Sequence, residues 1–270
     1  MIITKQLYKY TFKILLFVSF YSAAQELTTS KEEILLEIEK SSDTFKDIAN
    51  NIWELAELGF LEEKSSTLLR KVLKKEGFSI TSGVAGMPTA FIAEYGKEGP
   101  IIALLSEYDA LPGMSQAAVP EKKMLKGKTA GHACGHHLFG AGSLAAAIHI
   151  KNWLKDTGTP GTVRLYGTPA EEGGGGKVYM VRAGLFDDAS AVLSWHPSDR
   201  NSANSDSSLA AVAIRFKFKG IAAHAAGAPW EGRSALDGVE TLNYMINMMR
   251  EHVTPDSGIH YSILDGSKSP

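Results

Sequence analysis

Short apolar runs, each closed by Gly, Pro or a polar cluster, alternate along this chain with stretches of helical period, and this alternation constrains the fold most. The runs at 89–94, 101–105, 163–166 and 191–195 read as strands of a buried sheet. Ser30-Lys31-Glu32-Glu33 has the capping-box spacing, and Ile34, Ile38, Phe45, Ile48, Ile52 and Leu55 then recur as on one face of an opening helix. The Ala- and Leu-rich stretch 138–154, which begins just after a Cys/His cluster, and the stretch 177–183 read as two more helices. Helices alternating with buried strands predict an α/β sheet covered on both faces. Each polar cluster falls at the C-terminal end of a strand or the start of a helix, where such sheets hold ligands.

The chain of 270 residues is expected to carry a secretory signal over 1–24. Lys5, Lys9 and Lys13 precede the apolar run 14–20, and Ser22-Ala23-Ala24 offers a small-residue cleavage site before Gln25. That run is far shorter than the roughly 20 residues of a membrane span, so no stable membrane anchor is expected. Cys134 is the only cysteine, which excludes a lipoprotein anchor near the cleavage site and an intramolecular disulfide. The expected location is therefore secreted or periplasmic. A net charge of −2 gives no support for nucleic-acid binding. After His196 the composition shifts to the Ser-, Asn- and Asp-rich stretch 197–208, read as a linker. Beyond it, 209–218 alternates as a strand does, Ser234 with Asp237 opens a helix, and 259–264 begins another strand.

The chemistry concentrates in five places. Gly131-His132-Ala133-Cys134-Gly135-His136-His137 packs the single cysteine among histidines, as a thiolate metal site would, although a small buried thiol beside capping histidines is the plain alternative. Glu171-Glu172, between the strand at 163–166 and a Gly run, can divide labour between binding a metal and moving a proton, or can be only an acidic turn. The Gly run is no phosphate loop, because Gly176-Lys177 is followed by Val178. His196 precedes Pro197 at a strand end and is a ligand or a core histidine, while Asp109, with Glu107, orients a ligand imidazole or is a solvated turn acid. Farther on, His224 lies among small residues and could donate to an oxyanion or simply pack, and Arg233 could grip a substrate carboxylate or be a solvated charge. His149, His252 and His260 have no partner in sequence and read as structural.

Together, Ser106 to Gly113, Gly131 to His137, Pro169-Ala170-Glu171-Glu172, Trp195-His196-Pro197 and Gly220 to His224 resemble the metal-dependent aminoacylase and glutamate-carboxypeptidase superfamily, in its amidohydrolase branch. The resemblance runs from about Trp53 to the end of the chain. It implies a mixed-sheet, zinc-peptidase-like catalytic domain over 25–205 and an inserted, incomplete α+β dimerisation or lid domain over 206–270. Cys134, His136, Glu172 and His196 would hold two divalent metal ions, zinc or manganese, with Asp109 in support. Glu171 would be the general base toward a metal-bound hydroxide, and His224 would polarise the scissile carbonyl. The implied substrate is a small N-acyl amino acid of the aminobenzoyl-glutamate type or a dipeptide, and the implied assembly is a homodimer through the lid domain. Two departures stand out. His137 replaces the Asp or Asn that related sequences usually carry, and so could add to or alter the ligand set. No histidine matches the family's last metal ligand, so the chain is expected to be a piece of a longer polypeptide. The alternatives are an inactive or non-catalytic metal- or peptide-binding member of the fold, and a Cys-His nucleophilic hydrolase using Cys134.

Overall fold

Apolar residues point to both sides of the central strands, so helices must cover the sheet twice. The computed structural model describes residues 31–203 and 207–266, in two units, Met1–Asn201 and Ser202–Pro270. The leader expected over 1–24 and the capping Ser30 lie outside the described residues. In chain order the first unit contains α1 (31–55), α2 (Glu63–Lys75), β1 (Ser79–Ser82), β2 (Phe91–Tyr95), β3 (Ile101–Ser106), β4 (Leu111–Pro112), β5 (Ala130–Gly131), α3 (His136–Thr157), β6 (Thr162–Gly167), α4 (Gly176–Arg182) and β7 (Ala191–Leu193).

The five-stranded sheet has the order β1-β2-β6-β3-β7. Strands β6, β3 and β7 run parallel, whereas β2 is antiparallel to β6 and to β1, so the sheet is mixed. Successive strand residues face opposite ways, and the two cores follow that period. Leu104, Val163 and Leu165 pack with α1, α2 and α3 through Ile52, Leu69, Leu73 and Leu144. Ala103 and Tyr166 face the other side, against Met180 of α4, Met87 and Phe186. Strands β4 and β5 form a separate two-stranded ladder that leads directly into Cys134.

Helix α3 starts at His136, two residues earlier than the Leu138 expected, because Gly135 adopts a left-handed conformation at its N-cap (φ +85°). His136 and His137 therefore sit on its first turn, held by the helix itself. Strand β7 stops at Leu193, so Trp195 and His196 lie beyond the ladder. Neither α2 nor β1 was anticipated from the sequence, where charged and small polar residues mask the buried pair Leu69 and Leu73.

In the second unit the spacing of Ser234 and Asp237 was a sound guide. Ser234 Oγ accepts from the Asp237 amide at 3.1 Å and opens α5 (Ala235–Met249). The strands expected over 209–218 and 259–264 do not form. Alternation supplies an apolar face, but a strand also needs a neighbour for its backbone groups, and these segments have no ladder among the described residues. Val212 is 85% exposed. Ile221 and Arg233 form an isolated bridge, so the α+β character expected over 206–270 reduces, among the described residues, to a helix, short 3-10 turns and that bridge. No helix of the described residues is long and apolar enough to cross a membrane.

His132 ties the segment after β5 to α1, its Nε2 standing 3.0 Å from the Ile52 carbonyl oxygen, and its ring lies 5.2 Å from that of His137. Burial and the neighbouring His136 hold the His137 imidazole down to about 4. Two outcomes follow. Leu165→Ala, which empties a fully buried position facing α3, should lower the unfolding free energy by about 2–5 kcal/mol in a denaturant titration. Between pH 6.5 and 4 the unfolded chain carries a proton on His137 that the folded chain does not, so acidification through this window favours unfolding. The denaturation midpoint should fall over that range, and fall less steeply in His137→Asn. Equal slopes in the two proteins would show that His137 titrates alike in both states.

Candidate metal centre

Three parallel strands deliver their carboxyl ends to one edge of the sheet. Strand β3 runs into Glu107-Tyr108-Asp109, β6 into Thr168 through Glu172, and β7 into Trp195-His196, while the start of α3 brings Cys134 and His136. His136 is fully buried. Its Nδ1 donates to Asp109 Oδ1 at 2.8 Å, which leaves Nε2 2.9 Å from Glu107 Oε2, 3.9 Å from Glu171 Oε2 and 4.0 Å from Glu172 Oε1. The second oxygen of Asp109 accepts the Glu172 backbone amide at 2.8 Å. One buried carboxylate thus fixes both an imidazole and the carboxylate pair. Burial alone would lower the His136 pKa, but Asp109 and Glu107 outweigh it and raise it to about 10.

Cys134 Sγ lies 3.3 Å from His196 Nε2. His196 Nδ1 is 2.9 Å from the Pro197 carbonyl oxygen, so Nδ1 carries the proton and Nε2 offers its lone pair. Packing sets this pairing: a Cβ on Gly135 would come within 2.9 Å of Pro197 Cγ, and Trp195 stacks edge-on against Phe139 while its Nε1 donates to Ser143 Oγ at 3.2 Å. Partial burial and the carboxylates of Glu172, Glu171 and Glu107 push the Cys134 thiol up to about 11. A thiol in that field stays protonated unless a cation takes the proton's place.

The pair Glu171-Glu172 is presented by a strained elbow. Ala170 is buried at φ +56°, a left-handed conformation costly for a residue with a Cβ. It is held by Glu62, whose Oε1 accepts the Ala170 amide at 2.8 Å and whose Oε2 accepts Thr89 Oγ1 at 3.0 Å. Burial raises the Glu62 carboxyl above its usual range. Nothing in the sequence marked Glu62, a single acid in a polar stretch. Lys177 was also missed, and Glu107, read with Asp109 as orienting a ligand imidazole, stands nearer to His136 Nε2 than Glu171 or Glu172 does. Lys177 Nζ reaches Glu107 Oε1 at 2.5 Å.

Among the described residues, Glu107 Oε2, His136 Nε2 and Glu172 Oε1 are buried without hydrogen-bond partners. Two ligand sets come within metal-binding distance of one another: Cys134 with His136 and His196, and Glu107 with His136 and Glu171. Sulfur, imidazole and carboxylate donors around orphaned buried atoms are the chemistry that zinc or manganese accepts. Of the site residues expected from the sequence, the first unit gathers Asp109, Cys134, His136, Glu171, Glu172 and His196. Glu172, expected as a ligand, joins neither set, its Oε1 standing 4.0 Å from His136 Nε2, and His137 joins neither, its Nδ1 being buried without a hydrogen-bond partner. His224 and Arg233 belong to the second unit. His224 Nδ1 accepts the amides of Ala226 and Gly227 at 3.2 and 2.9 Å, so its proton resides on Nε2. The Arg233 guanidinium donates to the carbonyls of Trp230 and Gly232 in its own turn.

Comparison with known proteins agrees with this chemistry. Residues 103–256 match the model of peptidase family M20/M25/M40. The chain is 45% identical over 86% of its length to a p-aminobenzoyl-glutamate hydrolase polypeptide of Escherichia coli, covering 49% of that protein. It is 31% identical over 92% of its length to the Xaa-Arg dipeptidase of Mus musculus, covering 57% of it. The chain thus spans about half the length of the curated relatives it matches. The crystal structure of the Bacillus subtilis YXEP protein, described as a dinuclear metal-binding peptidase of the M20 family, superposes with a TM-score of 0.52 at 29% identity over 59% of this chain and 44% of that one. A family model covering more than half of the chain, over the strands and helices that build this site, makes the chain a member of peptidase family M20/M25/M40.

Proposed function

We propose that the protein is a metal-dependent amidohydrolase that cleaves the amide bond of a small N-acyl amino acid, of the aminobenzoyl-glutamate type, or of a dipeptide. The observation that carries this reading is the convergence of buried, unpartnered His136 Nε2 and Glu172 Oε1 beside the Cys134 and His196 pair at the carboxyl edge of the parallel strands. In it, Cys134, His136, Glu172 and His196 hold two divalent ions, zinc or manganese. Such ions, when bound, polarise a carbonyl and lower the pKa of water toward neutrality.

The chain's own residues supply the rest. Asp109 holds a proton on Nδ1, so that a bound cation would take the place of the proton on Nε2, the nitrogen that faces the ligand set. Glu171, with 43% of its side chain exposed while its neighbour is largely covered, is the carboxylate free to take a proton from water and pass it to the departing amine. His224 has its donor proton on Nε2, as a residue that stabilises an oxyanion needs. Substrate preference is carried over from the relatives named p-aminobenzoyl-glutamate hydrolase and Xaa-Arg dipeptidase. Export to a secreted or periplasmic location, and assembly as a homodimer through the C-terminal unit, complete the proposal. A cysteine nucleophile is disfavoured, because the carboxylates around Cys134 oppose its thiolate.

Chelation should abolish hydrolysis of a p-aminobenzoyl-glutamate or dipeptide substrate by the full-length protein, and returned zinc or manganese should restore it. Glu171→Gln should retain metal, measured by elemental mass spectrometry, while kcat falls by about 10²–10⁴ or more. Cys134→Ser and His136→Ala should lose both metal and activity. Undiminished turnover in Glu171→Gln would remove that residue from the proton path, and turnover unaffected by chelation would overturn the metal reading.

A further inference from the structure

The resemblance assigns four metal ligands and leaves Glu107 out, yet Glu107 is the carboxylate nearest the free nitrogen of His136. It is 4% exposed. Its two oxygens have different fates: Oε1 binds Lys177 Nζ, whereas Oε2 is buried and makes no hydrogen bond. That oxygen lies 2.9 Å from His136 Nε2, an ion-pair distance for a protonated ring, yet in a geometry that leaves both atoms without a formed hydrogen bond. Burying a carboxylate oxygen unsatisfied is costly, and here the cost is borne twice at one point. A shared cation removes both penalties. An anionic oxygen and an imidazole nitrogen 2.9 Å apart are donors that one divalent cation would accept together.

We propose that Glu107 is a direct ligand, through Oε2, of the divalent ion that His136 binds, and that Lys177 is a positioning residue that holds Oε1 and so directs Oε2 inward. The inference rests on the metal-dependent reading above and adds to its ligand set. The competing role, a counter-ion for Lys177 alone, needs only Oε1 and leaves Oε2 unexplained. Charge agrees with the proposal: Glu107, Asp109, Glu171 and Glu172 all lie within 4.0 Å of the His136 ring nitrogens, and Lys177 pairs with one of them.

The test is zinc titration of the full-length protein against a competing chelator, with the visible spectrum of the cobalt-loaded protein recorded in parallel. Glu107→Gln keeps the shape of the side chain but removes its charge. It should weaken metal binding at least about tenfold and change the cobalt spectrum. Lys177→Met leaves the ligand in place and should lose far less. Should Glu107→Gln fail to fold, as judged by circular dichroism, Glu107→Asp provides the same readouts: a ligand role predicts weaker binding and an altered spectrum. Binding within about twofold of wild type with an unchanged cobalt spectrum, or equal losses in Glu107→Gln and Lys177→Met, would overturn the proposal while leaving the hydrolase reading intact. Wild-type full-length protein that takes up no metal would overturn both.

Discussion

Asp109 is the contact on which the rest of the site depends. Fully enclosed at the end of β3, it accepts the His136 imidazole N–H with one oxygen and the Glu172 amide with the other. A buried carboxylate persists only when its oxygens are satisfied. Satisfying them here fixes the tautomer of the imidazole and, in the same act, locates the Glu171-Glu172 pair. The start of α3 and the loop after β6 come from distant parts of the chain, and Asp109 fastens each to the middle of the sheet.

Around that anchor the backbone carries local strain. Ala170 is left-handed without being glycine, and a buried Glu62 holds its amide in place. Gly135 takes a similar conformation at the start of α3, where any side chain would meet Pro197. These local costs are offset by the two apolar cores that clamp the sheet, and the result is an edge where carboxylates, imidazoles and a thiol face one another. Electrostatics within the edge push both groups the same way. Acids raise His136 and also keep Cys134 protonated, so a single divalent charge would reverse the balance at both residues together.

Strands β2, β3, β6 and β7 and the helices α1, α3, α4 and α5 were legible in the sequence because each carries a strong period or a cap that nearby residues alone enforce. Short β1, and α2 with its mostly polar surface, were not, since their identity comes from partners such as Glu94 across the ladder and the α3 helix. The alternating run 209–218 shows the converse failure. Its pattern is that of a strand, but pairing is a property of two segments, and one segment cannot reveal whether its partner is there.

What the sequence determined by itself was composition at the right places: Cys134, His136, Glu171, Glu172 and His196, each just past a buried strand or at a helix start, and enough motif order to identify the family. Residue type and local period suffice for that, because strand ends in an α/β sheet are where polar clusters can be exposed to a ligand. Tertiary structure alone decided which atoms meet. It paired Cys134 with His196 and joined Asp109 to both His136 and Glu172. It also turned one oxygen of Glu107 inward and handed the other to Lys177, 70 residues along the chain. The physical reason is that burial and orphaned lone pairs are properties of assembled surfaces, and they come into being only when separate strands close on one point.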